Sequence, residues 1–333
     1  MRERKVDSLN KFFDSCANLL WPRLKTVMDK QLRSVRDGDV RKLGAIDLHV
    51  HYVSRRYAEF TCSILQILNK GTKGHQIGTP SSSTPFLKGT VSKRPSLAAS
   101  SSLYSNENGA RKMKLDASKQ EGPSHRGSAG DMLLNDLSVL QDEIVLLLQR
   151  LAGAHTTNKK KIIFLINNLD QIIAIFQERR VSGKELNRFV ELLMQQRELF
   201  VEEELLQSFS KMIAFVQQTE QHMNGPNYSA GKAAAEGHKL DINAQVVESL
   251  VREFASTWKQ GIEQINRDVL SFFANFRNGM EVLKQVLTQL LLYYTRFQDI
   301  IRKVWRSKPP AFCKDLVSTS AILAEIKKFA LAI

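Results

Sequence analysis

The chain has 333 residues, 43% of them apolar, and a formal net charge of +14. It has no unbroken apolar run of the ~18 residues that a membrane helix needs, and the charged start MRERKVDSLNKFF has no apolar core, so neither a span nor a secretory leader is expected. Cys16, Cys62 and Cys313 are far apart and form no CxxC pair, which excludes a disulfide framework and predicts reduced thiols.

Taken in order, the chain alternates helical stripes with punctuation. From Val6 to about Arg36, Leu9, Phe12, Phe13, Cys16, Leu19, Leu20, Leu24, Val27, Met28 and Leu32 form an apolar stripe of period 3.6. Pro22 interrupts it and predicts a kink or a split near Leu20. Asp37-Gly38-Asp39 ends the element, and a loop or short turn follows to Val50. A second helix is predicted from about His51 to Leu68, with Tyr52, Tyr57, Phe60, Ile64, Leu65 and Leu68 inward.

Residues 71–130 are of another kind: serine-, glycine- and proline-rich, with few large apolar side chains and about +6 of the net charge. Such a stretch buries too little to offset its chain entropy, so a disordered basic insert is expected. Within it, Lys93-Arg94-Pro95-Ser96 fits a basic-directed kinase, against the plainer reading of a spacer.

Helix resumes from Asp131 to Leu151, where Leu133, Leu137, Leu140, Ile144, Leu147 and Leu151 make a seam of nearly three heptads. The next helix, Lys159 to Arg180, has Ile162, Leu165, Ile166, Leu169, Ile172, Ile173 and Phe176 on one face, widened by Ile163, Phe164 and Ile175, and is predicted to be central. Asn167, Asn168, Asp170 and Gln171 interrupt its apolar run. Asn167 and Asn168 with Asp170 read either as a buried polar network fixing helix register or as a solvated flank.

Ser182 is the predicted cap of a long helix from Lys184 to about Gln221, with Glu185 as capping-box partner and a break near Ser208. Asn224-Gly225-Pro226 stops that helix. Asp241 to Phe276 is helical with Val246, Leu250, Phe254, Trp258, Ile265, Val269, Phe272 and Phe276 inward. Arg277-Asn278-Gly279 then predicts a tight bend or a tolerated helical glycine. Leu283, Val286, Leu287, Leu290, Tyr294, Phe297, Ile301 and Val304 line one face of the following helix. Pro309-Pro310 ends it, and a short helix from about Leu316 to Leu331 closes the chain.

The expected fold is all-α: elongated, stacked antiparallel helical bundles with one long disordered insert. The expected units are N-terminal helices leading into the rod (1–70), the insert (71–130), a bundle (131–222), a loop (223–239) and a C-terminal bundle (240–333).

Asp47-Leu48-His49-Val50-His51 is the one metal-like pattern, because alternating histidines on a strand point the same way. The strands and later ligands that such a site needs are missing, so a solvated or capping loop is expected. No phosphate loop, nucleophile elbow or CxxC pair occurs, and no catalytic, cofactor or metal residue is assigned. The basic balance suits anionic partners, but no recognition helix with clustered Arg and Asn is present, so nucleic acid is not expected.

Several stretches together carry a resemblance. They are Leu19-Leu20-Trp21-Pro22-Arg23, Ser34-Val35-Arg36, Arg55-Arg56-Tyr57-Ala58-Glu59-Phe60, Phe164-Leu165-Ile166-Asn167-Asn168, Phe273-Ala274-Asn275-Phe276-Arg277-Asn278-Gly279, Leu287-Thr288-Gln289-Leu290 and Tyr294-Thr295-Arg296-Phe297. In this order they resemble the C-terminal part of the vacuolar protein sorting-associated protein 52 family. The resemblance implies a non-catalytic subunit of the Golgi-associated retrograde protein tethering complex, built of stacked helical bundles. It implies other subunits of that complex as partners, with small Rab-type GTPases and SNAREs. It also implies peripheral association with trans-Golgi and endosomal membranes. It supplies no residue-level site.

Overall fold

A computed structural model describes residues 9–72, 129–224, 242–306 and 308–330. Among them are eight α-helices, two 3-10 turns and no strand. In chain order the helices are α1 (Asn10–Arg36), α2 (Tyr52–Thr72), α3 (Ala129–Ala152), α4 (Asn158–Glu178), α5 (Lys184–Asn224), α6 (Ala244–Phe272), α7 (Phe276–Val304) and α8 (Thr319–Ala330). The all-α expectation therefore holds.

The first group of helices is organised around α4. Its Ile162, Ile163, Phe164, Ile166, Ile172, Ile175 and Phe176 are all buried, so apolar residues leave it on several sides. It packs against α2, α3 and α5. Thr157 caps it by accepting from the Lys160 amide at 3.3 Å. The predicted α3 seam is buried along its full length, from Leu133 to Leu151. Directions follow from cross-links. Ser54 bonds Asn168 and Gln66 bonds the Arg179 carbonyl, so α2 runs parallel to α4. Lys25 pairs with Asp136 and Arg36 with Glu143, so α1 runs parallel to α3.

Helix α5 carries the chain into the second group. Its first half lies antiparallel to α4, with Phe176 against Phe189 and Asn158 bonded to Glu203. The break predicted near Ser208 falls at Phe209, whose backbone leaves the helical region at φ −130°, ψ 20°. The corner is sharp. Glu202 and Gln217 both reach the Tyr293 hydroxyl, at 3.2 and 3.1 Å. On a straight helix they would stand about 22 Å apart. Gly261 makes room for this corner, because a Cβ there would lie 2.5 Å from the Phe209 ring. Beyond it, α5 packs on α6 and α7, and Phe254 stacks on Tyr294 with centroids 4.3 Å apart. Helix α8 closes the end, with the Tyr294 hydroxyl and the Gln298 amide both donating to the Val317 carbonyl.

Several expectations need correction. Pro22 does not split α1: it sits at an exposed position of one continuous helix. Most of the α1 stripe is exposed, and only Met28 of it is fully buried. Tyr52, Val246 and Phe276, read as inward, are also exposed; Val247 takes the core position beside Val246. The bend between α6 and α7 lies at Phe273-Ala274-Asn275, so Phe273 is the buried ring; Gly279 is the tolerated helical glycine, the second of the two readings given for it. The N-cap position of α5 is Gly183, at φ +134°, whose carbonyl accepts from the Asn187 amide; Ser182 precedes it. Helix also takes the outermost residues of the expected insert 71–130, through Thr72 and from Ala129. The rest of that insert, Lys93–Ser96 included, lies outside the described residues. So does nearly all of the expected loop 223–239.

Candidate functional site

The sequence singled out two polar features, and the fold brings both to one place. Asp47, His49 and His51 lie in the loop before α2, while Asn167 and Asn168 lie mid-way along α4. Asn168 is fully buried and Asn167 nearly so. Asn168 Oδ1 accepts from the His51 amide at 2.8 Å and from Ser54 Oγ at 2.7 Å. Its Nδ2 donates to the Phe164 carbonyl at 2.8 Å and to the His49 carbonyl at 3.4 Å. Asn167 Nδ2 donates to the carbonyls of Leu48 and Phe272, at 2.7 and 2.9 Å. The pair therefore forms the buried network, the first of the two readings. It ties the loop before α2 and the end of α6 to α4.

The two histidines do not converge. His51 is buried, with Nε2 3.1 Å from the Leu43 carbonyl and Nδ1 accepting from the Val53 amide. His49 is exposed and faces Asp47, whose carboxyl the His49 backbone amide holds below its usual value. The loop thus caps and docks α2. Among the described residues no group of three or more His, Cys, Asp or Glu is arranged to hold a metal ion.

Around the asparagines, further polar groups join α4 and α5 to the α6–α7 corner. Asn275 Nδ2 donates to Asp170 Oδ2 at 2.6 Å, and burial still pushes that carboxyl above its usual value. Arg197 on α5 donates through Nε and Nη2 to Asn278 Oδ1 on α7; burial lowers the pKa of this guanidinium. Lys159 Nζ, at the start of α4, lies 2.8 Å from Glu204 Oε2, 3.5 Å from Asp268 Oδ2 and 5.1 Å from the Phe272 ring centroid. Burial pushes the Glu204 carboxyl up while Lys159 pulls it down. Removing one partner of such a buried pair leaves an uncompensated charge, so each member of the cluster depends on the others.

Arg197, Lys159 and Glu204 escaped the sequence reading because charged residues on long helices ordinarily face water. Their partners are distant in sequence, 81 residues away for Arg197, and leave no local trace. Gly261 did leave one: a glycine inside an apolar helical pattern marks a close approach. Two of the stretches that carry the family resemblance, Phe164–Asn168 and Phe273–Gly279, meet at this junction.

The family profile described as "Vps52, C-terminal" matches residues 1–78 and 123–201. Vacuolar protein sorting-associated protein 52 A of Arabidopsis thaliana is 32% identical over 330 residues, covering 99% of this chain and 37% of that protein. The Homo sapiens homolog of vacuolar protein sorting-associated protein 52 is 27% identical over 327 residues, covering 98% of this chain and 36% of its own length. The Caenorhabditis elegans homolog is 26% identical over 335 residues, covering 99% and 38%. The chain therefore spans little more than a third of each of these relatives. No solved structure matches it significantly.

Proposed function

The chain belongs to the Vps52, C-terminal family, and on that premise we propose that it is a non-catalytic subunit of a multisubunit vesicle-tethering complex. In this reading it acts in retrograde transport from endosomes to the trans-Golgi network, on the cytosolic face of those membranes. Its partners are the other subunits of the retrograde tethering complex, with small Rab-type GTPases and SNAREs as further contacts. The observation that carries the reading is the match of nearly the whole chain to proteins named for vacuolar protein sorting. The all-helical architecture suits it, because stacked bundles hold separate binding surfaces at fixed distances and let several weak contacts act together. The junction then serves as mechanical bracing between the bundles. Among the described residues no helix is long and apolar enough to cross a membrane, so peripheral attachment is the mode proposed.

The test is affinity purification of the tagged chain from its own cells, with mass spectrometry of what accompanies it. The other subunits of the retrograde tethering complex are expected. Their absence, with membrane recruitment lost on deleting residues 73–128, would replace this reading by a free-standing adaptor that uses its basic segment on anionic lipid.

A further inference from the structure

We infer that the N-terminal two-thirds of α1 is a docking surface for an acidic amphipathic helix of another polypeptide. Helix α1 has two apolar faces. Trp21, Met28, Leu32 and Val35 form the face packed on the bundle. Leu9, Phe13, Cys16, Leu20 and Val27 form a second, at steps of four, three, four and seven residues, widened by Phe12, Leu19 and Leu24. At 100° per residue the two faces point about 110° apart. The second face is open: Phe12 is 61% exposed, Leu19 71% and Leu20 63%.

Geometry explains why nothing of the bundle reaches it. Helix α1 runs beside α3 with Lys25 level with Asp136 and Arg36 level with Glu143. Residue 129, where α3 begins, is therefore level with about residue 18 of α1. The turns before that project past the start of α3. Four or three residues between apolar positions is the spacing of a coiled-coil seam, and residues 9–27 give it about 28 Å.

Charge selects the occupant. Arg23 and Lys30 stand along one edge of the seam, with Arg33 beyond them, all exposed and in no ion pair among the described residues. The acids of α1, Asp14 and Asp29, lie on the other side of the helix. A partner helix with Glu or Asp flanking its apolar seam meets these cations favourably. A second copy of α1 would oppose cation to cation. Residues 73–128 carry nine Lys and Arg against three Asp and Glu, so they do not complement this edge either. A membrane-surface helix keeps its cations on the side opposite its apolar face. Here Lys25 and Arg36 on that side are paired with α3, which leaves Lys11 as the one unpaired cation directly opposite the seam among the described residues, while Arg23 and Lys30 border it.

The test places a photo-crosslinking amino acid at Leu19 of the full chain in its own cells, with Asn18, on the far side of α1, as control. Adducts are mapped by mass spectrometry. The expected result is one adduct segment from another protein, net acidic and apolar at heptad positions, at Leu19 and not at Asn18. Leu20→Asp or Arg23→Glu should lower its yield about ten-fold while the melting temperature holds. Adducts to this chain itself, to lipid alone, or scattered equally from both positions would each overturn the proposal, as would an unchanged yield in both variants. The inference stands apart from the tethering reading, since failure to co-purify tethering subunits leaves the chemistry of the adduct segment to be read as before.

Discussion

Helices α1 and α4 have the same kind of sequence, an apolar pattern of period 3.6, and opposite fates. Helix α4 is covered on nearly every side by α2, α3 and α5. Helix α1 lies along α3 and turns a second apolar face to solvent. An apolar stripe states that a face is to be covered. It does not state whether the cover belongs to the same chain.

The comparison is broken most severely by placing a charge on each stripe. Ile166→Asp on α4 puts an unpaired carboxylate in the core and should cost at least about 4 kcal/mol, unfolding the first bundle. Leu20→Asp on α1 should change stability by less than about 0.5 kcal/mol. Thermal or urea melts of the two variants would check the contrast, and equal losses would show that the α1 face is covered in solution. Asn168→Ala comes next. It strands the His51 amide and the Ser54 hydroxyl in a buried site, and about 2–3 kcal/mol is expected, read from urea unfolding.

Gly261→Ala is a smaller change with a diagnostic partner. Alanine favours a helix by about 1 kcal/mol, yet its Cβ would meet the Phe209 ring, and such overpacking costs about 1–3 kcal/mol. A net loss is expected, and Phe209→Leu should recover part of it in a double-mutant cycle. The smallest effect is one of pH. Burial raises the Asp170 carboxyl in the folded chain, so the folded state binds that proton more tightly than the unfolded one. Its contribution to stability therefore falls as pH rises through the window between the unfolded and the raised folded value. Asp170→Asn keeps an acceptor for Asn275 and removes the titration, so its stability relative to wild type should improve from pH 4 to pH 7 in matched melts.

The sequence reads best where each element's own periodicity decides the outcome. The α3 seam, the central α4 and the break near Phe209 were all legible, because burial there follows from local spacing. Of the two readings of Arg277-Asn278-Gly279, the helical glycine holds and the tight bend lies a few residues earlier. Asn278-Gly279 has the composition of a turn, but Phe273 docks on Phe200, with ring centroids 5.2 Å apart, and fixes the bend earlier. Phe276, three residues on, is left outside for the same reason. At the junction, Asn167 and Asn168 were visible as an anomaly in an apolar helix. Their partners were not, since the carbonyls of Leu48 and Phe272 are ordinary backbone in segments more than a hundred residues away.

The parallel pairing of α2 with α4 has a consequence for engineering. Helices α3 and α4 pack on each other and are joined by a five-residue turn, so α3 begins at the end of the bundle where α4 finishes. Helix α2 finishes there too, with Gln66 beside Arg179. The chain between Thr72 and Ala129 thus leaves and re-enters the bundle at one pole. A fluorescent reporter or an affinity handle grafted at that pole sits beyond the ends of α2 and α4 and leaves the packing of α4 on α2, α3 and α5 in place.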